Sequence, residues 1–260
     1  MAPAGGRRRR GQLPRAALPA FLVLALVAAA CDSGGTTAES VILVSAAASL
    51  TDAFAEIEGA FEAANPEADV VLNLGGSSVL REQILEGAPA DVFASADIAN
   101  MDRVVAGGAA SRPQVFATNR LEIAVPLDNP GGVTELADLA DESLLVGLCA
   151  SGVPCGDFAQ AVLDQAGVTA AVDTFEPNAR ALLTKIESGD LDAGMVYVTD
   201  VAASESVAGV EIPEGANVTA AYPIAPTTGG ANTERAAAFV AFVLSAEGQT
   251  ILARHGFGAP

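Results

Sequence analysis

VSAAASLTDAF, Val44 to Phe54, is the stretch on which the reading of this chain turns. It continues VILVSA (41–46), a short apolar run of the kind expected of a parallel strand buried on both faces. Alanines follow as a tight turn. Ser49 is then placed to start a helix as its N-cap, and Asp52, three residues on, completes a capping-box pattern. Such a junction aims free backbone N–H groups and the positive end of a helix dipole at one spot. Taken alone, the pattern favours a plain capped helix over an anion pocket.

Outward from this stretch the pattern repeats. Phe54, Ile57 and Phe61 recur at helical spacing until Asn65-Pro66 stops the helix. DVVLNLG (69–75) predicts a second strand, GGSS (75–78) a turn, and Leu80, Ile84 and Leu85 the next helix. A third strand is expected over 91–95, then a helix with Met101, Val104 and Val105 that ends at Gly107-Gly108. Strand and helix alternating through short loops point to an open parallel sheet. The rhythm breaks at 112–132, a long extended segment without a crossover helix, as when a chain passes between lobes. A second series follows: helix 134–141, strand 144–148, helix 155–166, helix 179–188 and strand 193–198. VTAAYPIAPTT (218–228) is a second extended crossing, and helices over 233–244 and 246–255 close the chain, the latter capped by Ser245. The expected fold is α/β, two lobes each with a mostly parallel sheet between helices. Residues 41–121 with 223–260 form lobe 1 and 122–222 form lobe 2.

The N-terminal residues 1–30 read as a signal peptide: RRRR at 7–10, then the apolar run LPAFLVLALVAAA (18–30). At about 1.5 Å per residue this run falls short of a bilayer's hydrocarbon core. Cys31 directly follows three alanines, which resembles the lipobox of bacterial lipoproteins, although Ala28 departs from the larger aliphatic residue usual there. Lipidation of Cys31, with 31–40 as a flexible tether, is the expectation; a secreted protein cut nearby is the alternative. The chain after residue 30 has 8 Lys+Arg against 32 Asp+Glu, formally −24, which disfavours nucleic acid and anionic membrane surfaces as partners. Cys149 and Cys155 are expected to form a disulfide, the default for a lone pair in an exported protein.

Enzyme signatures are scarce. The chain has one histidine and no HExxH, GxSxG or phosphate-loop motif. His255, near a helix C-terminus, suits the dipole or the surface better than general-base work. Helix starts recur instead: Ser49, Ser77-Ser78, VPCGDF (153–158) with Pro154 at the first helical position, and EPNAR (176–180). These turns fall at the carboxyl ends of strands, where open sheets bind ligands. Backbone N–H groups and serine hydroxyls there suit a small anion and need no lysine or arginine. Tyr197, ending DAGMVY (192–197), either adds a phenolic donor or packs over its lobe.

AAASLTDAF (46–54), GGSSVLREQILEGAPADVFASAD (75–97), VPCG, EPNAR, DAGMVY and HGF (255–257) together resemble the periplasmic molybdate-binding proteins of ABC-type molybdate importers, from Val41 to Phe257. The resemblance implies the two-lobed type II periplasmic-binding-protein fold. It also implies an extracytoplasmic monomer that captures molybdate or tungstate and passes it to an ABC permease, with no cofactor. It places the oxyanion ligands at Ser49, Ser77 (or Ser78 if the register slips), the backbone N–H of Cys155 where alanine is more usual, the backbone N–H of Ala179, and Tyr197. A sulfate- or tungstate-specific binder is the nearest rival. More distant rivals are a hydrolase using Ser49 with His255, and a surface sensor.

Overall fold

Strand β1 (Val41–Ala47) is almost wholly buried, as its unbroken apolar run demands, and it stands between two parallel neighbours. The computed structural model describes residues 41–260, so the signal peptide, Cys31 and the tether lie outside the described residues. Strand β2 (Asp69–Gly75) pairs along the whole of β1, and β3 (Val92–Ala94) flanks its other side. Helices α1 (Thr51–Ala64), α2 (Ser77–Leu85) and α3 (Ile98–Ala106) make the crossovers. The long segment after α3 is β4 (Gln114–Pro126), which changes partners midway. Its first part, up to Arg120, runs antiparallel to β9 (Thr219–Pro226), which in turn pairs with β3. From Leu121 onward it pairs with β7 (Ala193–Tyr197) and β8 (Val207–Val210). Beyond β7 lie β5 (Val146–Cys149) and β6 (Val172–Glu176), both parallel. The strand order is therefore β2-β1-β3-β9-β4-β7-β5-β6 with β8 beside β4, two halves that share one strand.

In the second half, α4 (Pro154–Ala166) links β5 to β6, α5 (Ala179–Glu187) links β6 to β7, and the short α6 (Val198–Ala202) follows Tyr197. The C-terminal α7 (Thr233–Val243) and α8 (Ala246–Arg254) pack against α1, and Ser245 caps α8 as expected by accepting the Gly248 N–H. Phe54, fully buried on α1, meets Phe116 of β4 at 5.8 Å and Phe239 of α7 at 6.2 Å between ring centroids. Phe61 extends the cluster to Phe242 at 5.6 Å. Cys149 and Cys155 are disulfide-bonded, with Cα atoms 5.7 Å apart, tying the end of β5 to the first turn of α4. Gly156 is required beneath this staple, because a Cβ there would sit 2.2 Å from the Ala150 carbonyl oxygen.

Several expectations are corrected. Ser49 is not the N-cap of α1: a single 3-10 turn, Ala48–Leu50, intervenes, so the cap position falls on Leu50 and carries no side-chain bond. Asp52 consequently makes no capping box; its carboxylate goes to Arg180 of α5. The segment expected as a helix over 134–141 is a 3-10 turn, Leu136–Ala140. Strands β6 and β8 and helix α6 were not foreseen, and Leu85, one of the apolar residues that marked α2, is exposed.

Phe54 holds helix, sheet and C-terminal helices together through one ring, so Phe54→Ala is expected to destabilise the fold by about 3–5 kcal/mol, measured by urea denaturation.

Candidate functional site

Four of the β-to-α turns end at the same edge of the structure, and there they line a small cavity. The structure brings all five expected ligand residues, Ser49, Ser77, Cys155, Ala179 and Tyr197, to its wall; Ser78 does not line it. Nothing in the wall carries a charge.

Each position follows from local chain geometry. Ser49 lies in the 3-10 turn after β1, and its buried Oγ sits 2.9 Å from the Oη of Tyr222. Ser77 is the first residue of α2, and its Oγ accepts the Ala96 N–H at 3.0 Å. That leaves the Ser77 hydroxyl proton available. Cys155 and Ala179 lie in the first turns of α4 and α5, where backbone N–H groups have no intrahelical acceptor. Pro154 at N1 and Asn178 as the N-cap of α5, accepting the Ala181 N–H at 2.9 Å, fix those turns. The buried Oη of Tyr197 has no hydrogen-bond partner among the described residues. Burial also holds its proton, raising its pKa well above 10.0. A buried hydroxyl left unpaired is costly, and one at a cavity wall is a donor awaiting an acceptor. The arrangement therefore presents hydroxyls and amide N–H groups, a donor set suited to an anion whose oxygens carry no proton.

The His255 Nε2–H donates to the Glu56 carboxylate at 2.8 Å, while Ser49 is paired with Tyr222, so the two members of the hydrolase rival have separate partners. Among the described residues no cluster of three or more His, Cys, Asp or Glu could hold a metal ion.

Residues 42–258 match the family of bacterial extracellular solute-binding proteins. The chain belongs to that family. It is 39% identical to the molybdate-binding protein ModA of Mycobacterium tuberculosis, covering 93% of this chain and 95% of the relative. To the protein of that name from Escherichia coli it is 34% identical, over 84% and 89% respectively. The fold matches that of the Azotobacter vinelandii periplasmic molybdate-binding protein with a TM-score of 0.75 at 20% identity, covering 84% of this chain and 99% of the other. These neighbours have the type II periplasmic-binding-protein fold, so the architecture expected from the sequence holds, and the chain is a solute-binding transport protein.

Around the site of this solute-binding protein, sequence reasoning missed a second layer. Asp52 of α1 and Arg180 of α5 form an ion pair that joins the two halves of the structure beside the cavity. Both lie within motifs already quoted, but nothing in their spacing, 128 residues apart, announces a contact. Gly76, which precedes α2, comes so close to the other half that a Cβ would sit 2.6 Å from the Pro177 carbonyl oxygen. Asp200, on α6, accepts the Tyr197 N–H at 3.1 Å, and its second carboxylate oxygen is buried without a partner among the described residues. Burial pushes its pKa from 3.8 up to about 6, against the lowering effects of Arg180 and the Tyr197 N–H.

Because the folded protein holds the Asp200 proton more tightly than the unfolded chain, the associated stability is complete below about pH 4 and is lost as pH rises through about 6. Asp200→Asn keeps the acceptor for Tyr197 and removes this titration. The stability of the variant relative to wild type should therefore rise by about 2 kcal/mol between pH 4 and pH 7 in chemical denaturation.

Proposed function

We propose that this protein captures molybdate, and tungstate with it, in the cavity between its two sheet halves and delivers it to an ABC permease. The observation that carries the proposal is the convergence of Ser49, Ser77, Cys155, Ala179 and Tyr197 on one uncharged cavity. Likeness to molybdate-binding relatives supports it. A tetrahedral dianion removed from water must have its oxygens satisfied, and charge-assisted bonds of roughly 1.5–3 kcal/mol each from these donors supply that. Four helix N-termini add favourable dipoles without a competing cation. The donor-only set disfavours hydrogen phosphate, whose O–H finds no acceptor, and cavity size separates molybdate from sulfate.

Capture is a hinge motion of two lobes, 41–121 with 223–260 against 122–222, flexing near Asn119–Ala124 and Ala221–Ala225. The Asp52–Arg180 pair and the approach of Gly76 to Pro177 support the reading that the described conformation is the closed one. The protein works as an extracytoplasmic monomer held to the outer face of the membrane through lipidated Cys31, with no cofactor.

Thermal unfolding with added oxyanions tests the ligand. Molybdate and tungstate should stabilise by about 2.7 kcal/mol at roughly 100 times Kd, with sulfate and phosphate giving no shift; absence of any oxyanion effect refutes the proposal. Ser49→Ala should cut molybdate affinity at least about tenfold, and an unchanged thermal shift in this variant removes Ser49 from the site. In Gly76→Ala the added methyl prevents full approach of the halves, so calorimetric titration should show molybdate binding weakened by a similar factor or more.

A further inference from the structure

The turn that opens α5 meets the opposite half of the structure at two points, which bracket the cavity residue Ala179 in sequence. Before Ala179, the Pro177 carbonyl closes on Gly76. After it, the Arg180 guanidinium pairs with the Asp52 carboxylate of α1. Asp52 lies three residues beyond Ser49, another residue of the cavity wall. Each partner of the ion pair is therefore carried by a turn that also builds the site.

Arg180 is poorly placed for the helix that carries it. It is the second residue of α5, where the positive end of the dipole disfavours a cation. Its Nε is also buried without a partner among the described residues. The guanidinium lies close enough to Asp200, in its own half, to lower the pKa of that residue, while Asp52 raises it. Arg180 thus stands between a carboxylate of its own half and a carboxylate of the other. Of the two interactions, the one with Asp52 spans the halves, so it depends on how closely they approach.

We infer that Asp52 and Arg180 form a latch: the pair is made when the two halves close, holds the closed state, and so tightens binding of the anion. The inference rests on the oxyanion reading and the lobe closure proposed above, and adds the side chains that hold the lobes together. A pair present equally in open and closed states would leave affinity untouched, since it would stabilise both alike. A pair made on closure adds its strength to ligand binding. The two side chains are 31% and 46% exposed, so water screens the pair and limits the effect to a few-fold. The sign of the effect discriminates. If Arg180 acted on the anion through its charge alone, removing Asp52 would unmask that charge and tighten binding. A latch predicts the reverse.

The test is calorimetric titration of molybdate into wild type, Asp52→Asn, Arg180→Gln and the double variant. Asp52→Asn should weaken binding about threefold, and Arg180→Gln by at least as much. In the Arg180→Gln background Asp52→Asn should cost nothing further, because the pair is already broken. Added salt should narrow the gap between wild type and Asp52→Asn, since screening acts on the pair. Binding by Asp52→Asn that equals or exceeds wild type overturns the inference, and so does an equal loss in both backgrounds. If Arg180→Gln does not fold, the comparison of Asp52→Asn with wild type decides alone. Molybdate binding by wild type with no loss in Asp52→Asn refutes the latch and leaves the oxyanion reading standing. A wild-type protein that binds no molybdate refutes the oxyanion reading and this inference with it.

Discussion

An ion taken out of water must recover its solvation from fixed dipoles, and the dipoles that line this cavity are the N–H groups at the beginnings of helices. Everything around the cavity serves to aim them. β1, β2, β5 and β6 each end at the cavity edge and hand over to a helical turn, so four chain reversals deliver their first-turn amides to one place. The cavity wall holds no lysine or arginine, which keeps the site neutral and its donors short and rigid. Strand pairing alone is enough to hold the β1 and β2 turns in mutual register, since Ala47 lies opposite Gly75. The β5 turn has extra reinforcement from the Cys149–Cys155 bridge and from the close fit of Gly156 under the Ala150 carbonyl.

Behind the donors, buried polar groups are arranged at a cost in stability. Tyr197 and Asp200 each keep an oxygen in the core without a partner among the described residues, and burial works against the ionised form of both. Such groups weaken a fold that has nothing to bind and are compensated when an acceptor or a neighbouring charge arrives. Arg180 is the cation nearest to hand. It pairs with Asp52 across the two halves and lowers the pKa of Asp200, so one guanidinium links helix α1, helix α5 and the layer behind Tyr197.

Much of the fold was legible because apolar runs and helical spacing leave a clear mark. VILVSA and DVVLNLG could be little other than neighbouring parallel strands, and the Phe54, Ile57, Phe61 spacing marked the core face of α1. The elements that escaped lack such marks. VDTFE of β6 mixes acidic, polar and apolar residues at the edge of the sheet, and VAGV of β8 is four residues long. Helix starts were visible through Pro154 and Asn178, but the amides of Cys155 and Ala179 were placed only by resemblance, because a backbone donor requires no particular side chain. Ser49 was read as a helix cap, which it is not: its hydroxyl turns to Tyr222, 173 residues away. Contacts that close across the two halves, such as Asp52 with Arg180, leave no local periodicity to detect.

The approach of Gly76 to Pro177 is a meeting of two backbones, with only hydrogen atoms on the glycine side. A side-chain contact can be relieved by a change of rotamer, but this one cannot, because both partners are fixed by strand and helix ends. In the lobe closure proposed above, it acts as a hard stop for the two jaws. The smallest gap they can reach is set by covalent geometry and not by the guest between them. An anion of smaller radius therefore gains no shorter bonds by pulling harder, and the stop serves as a gauge that measures ionic size.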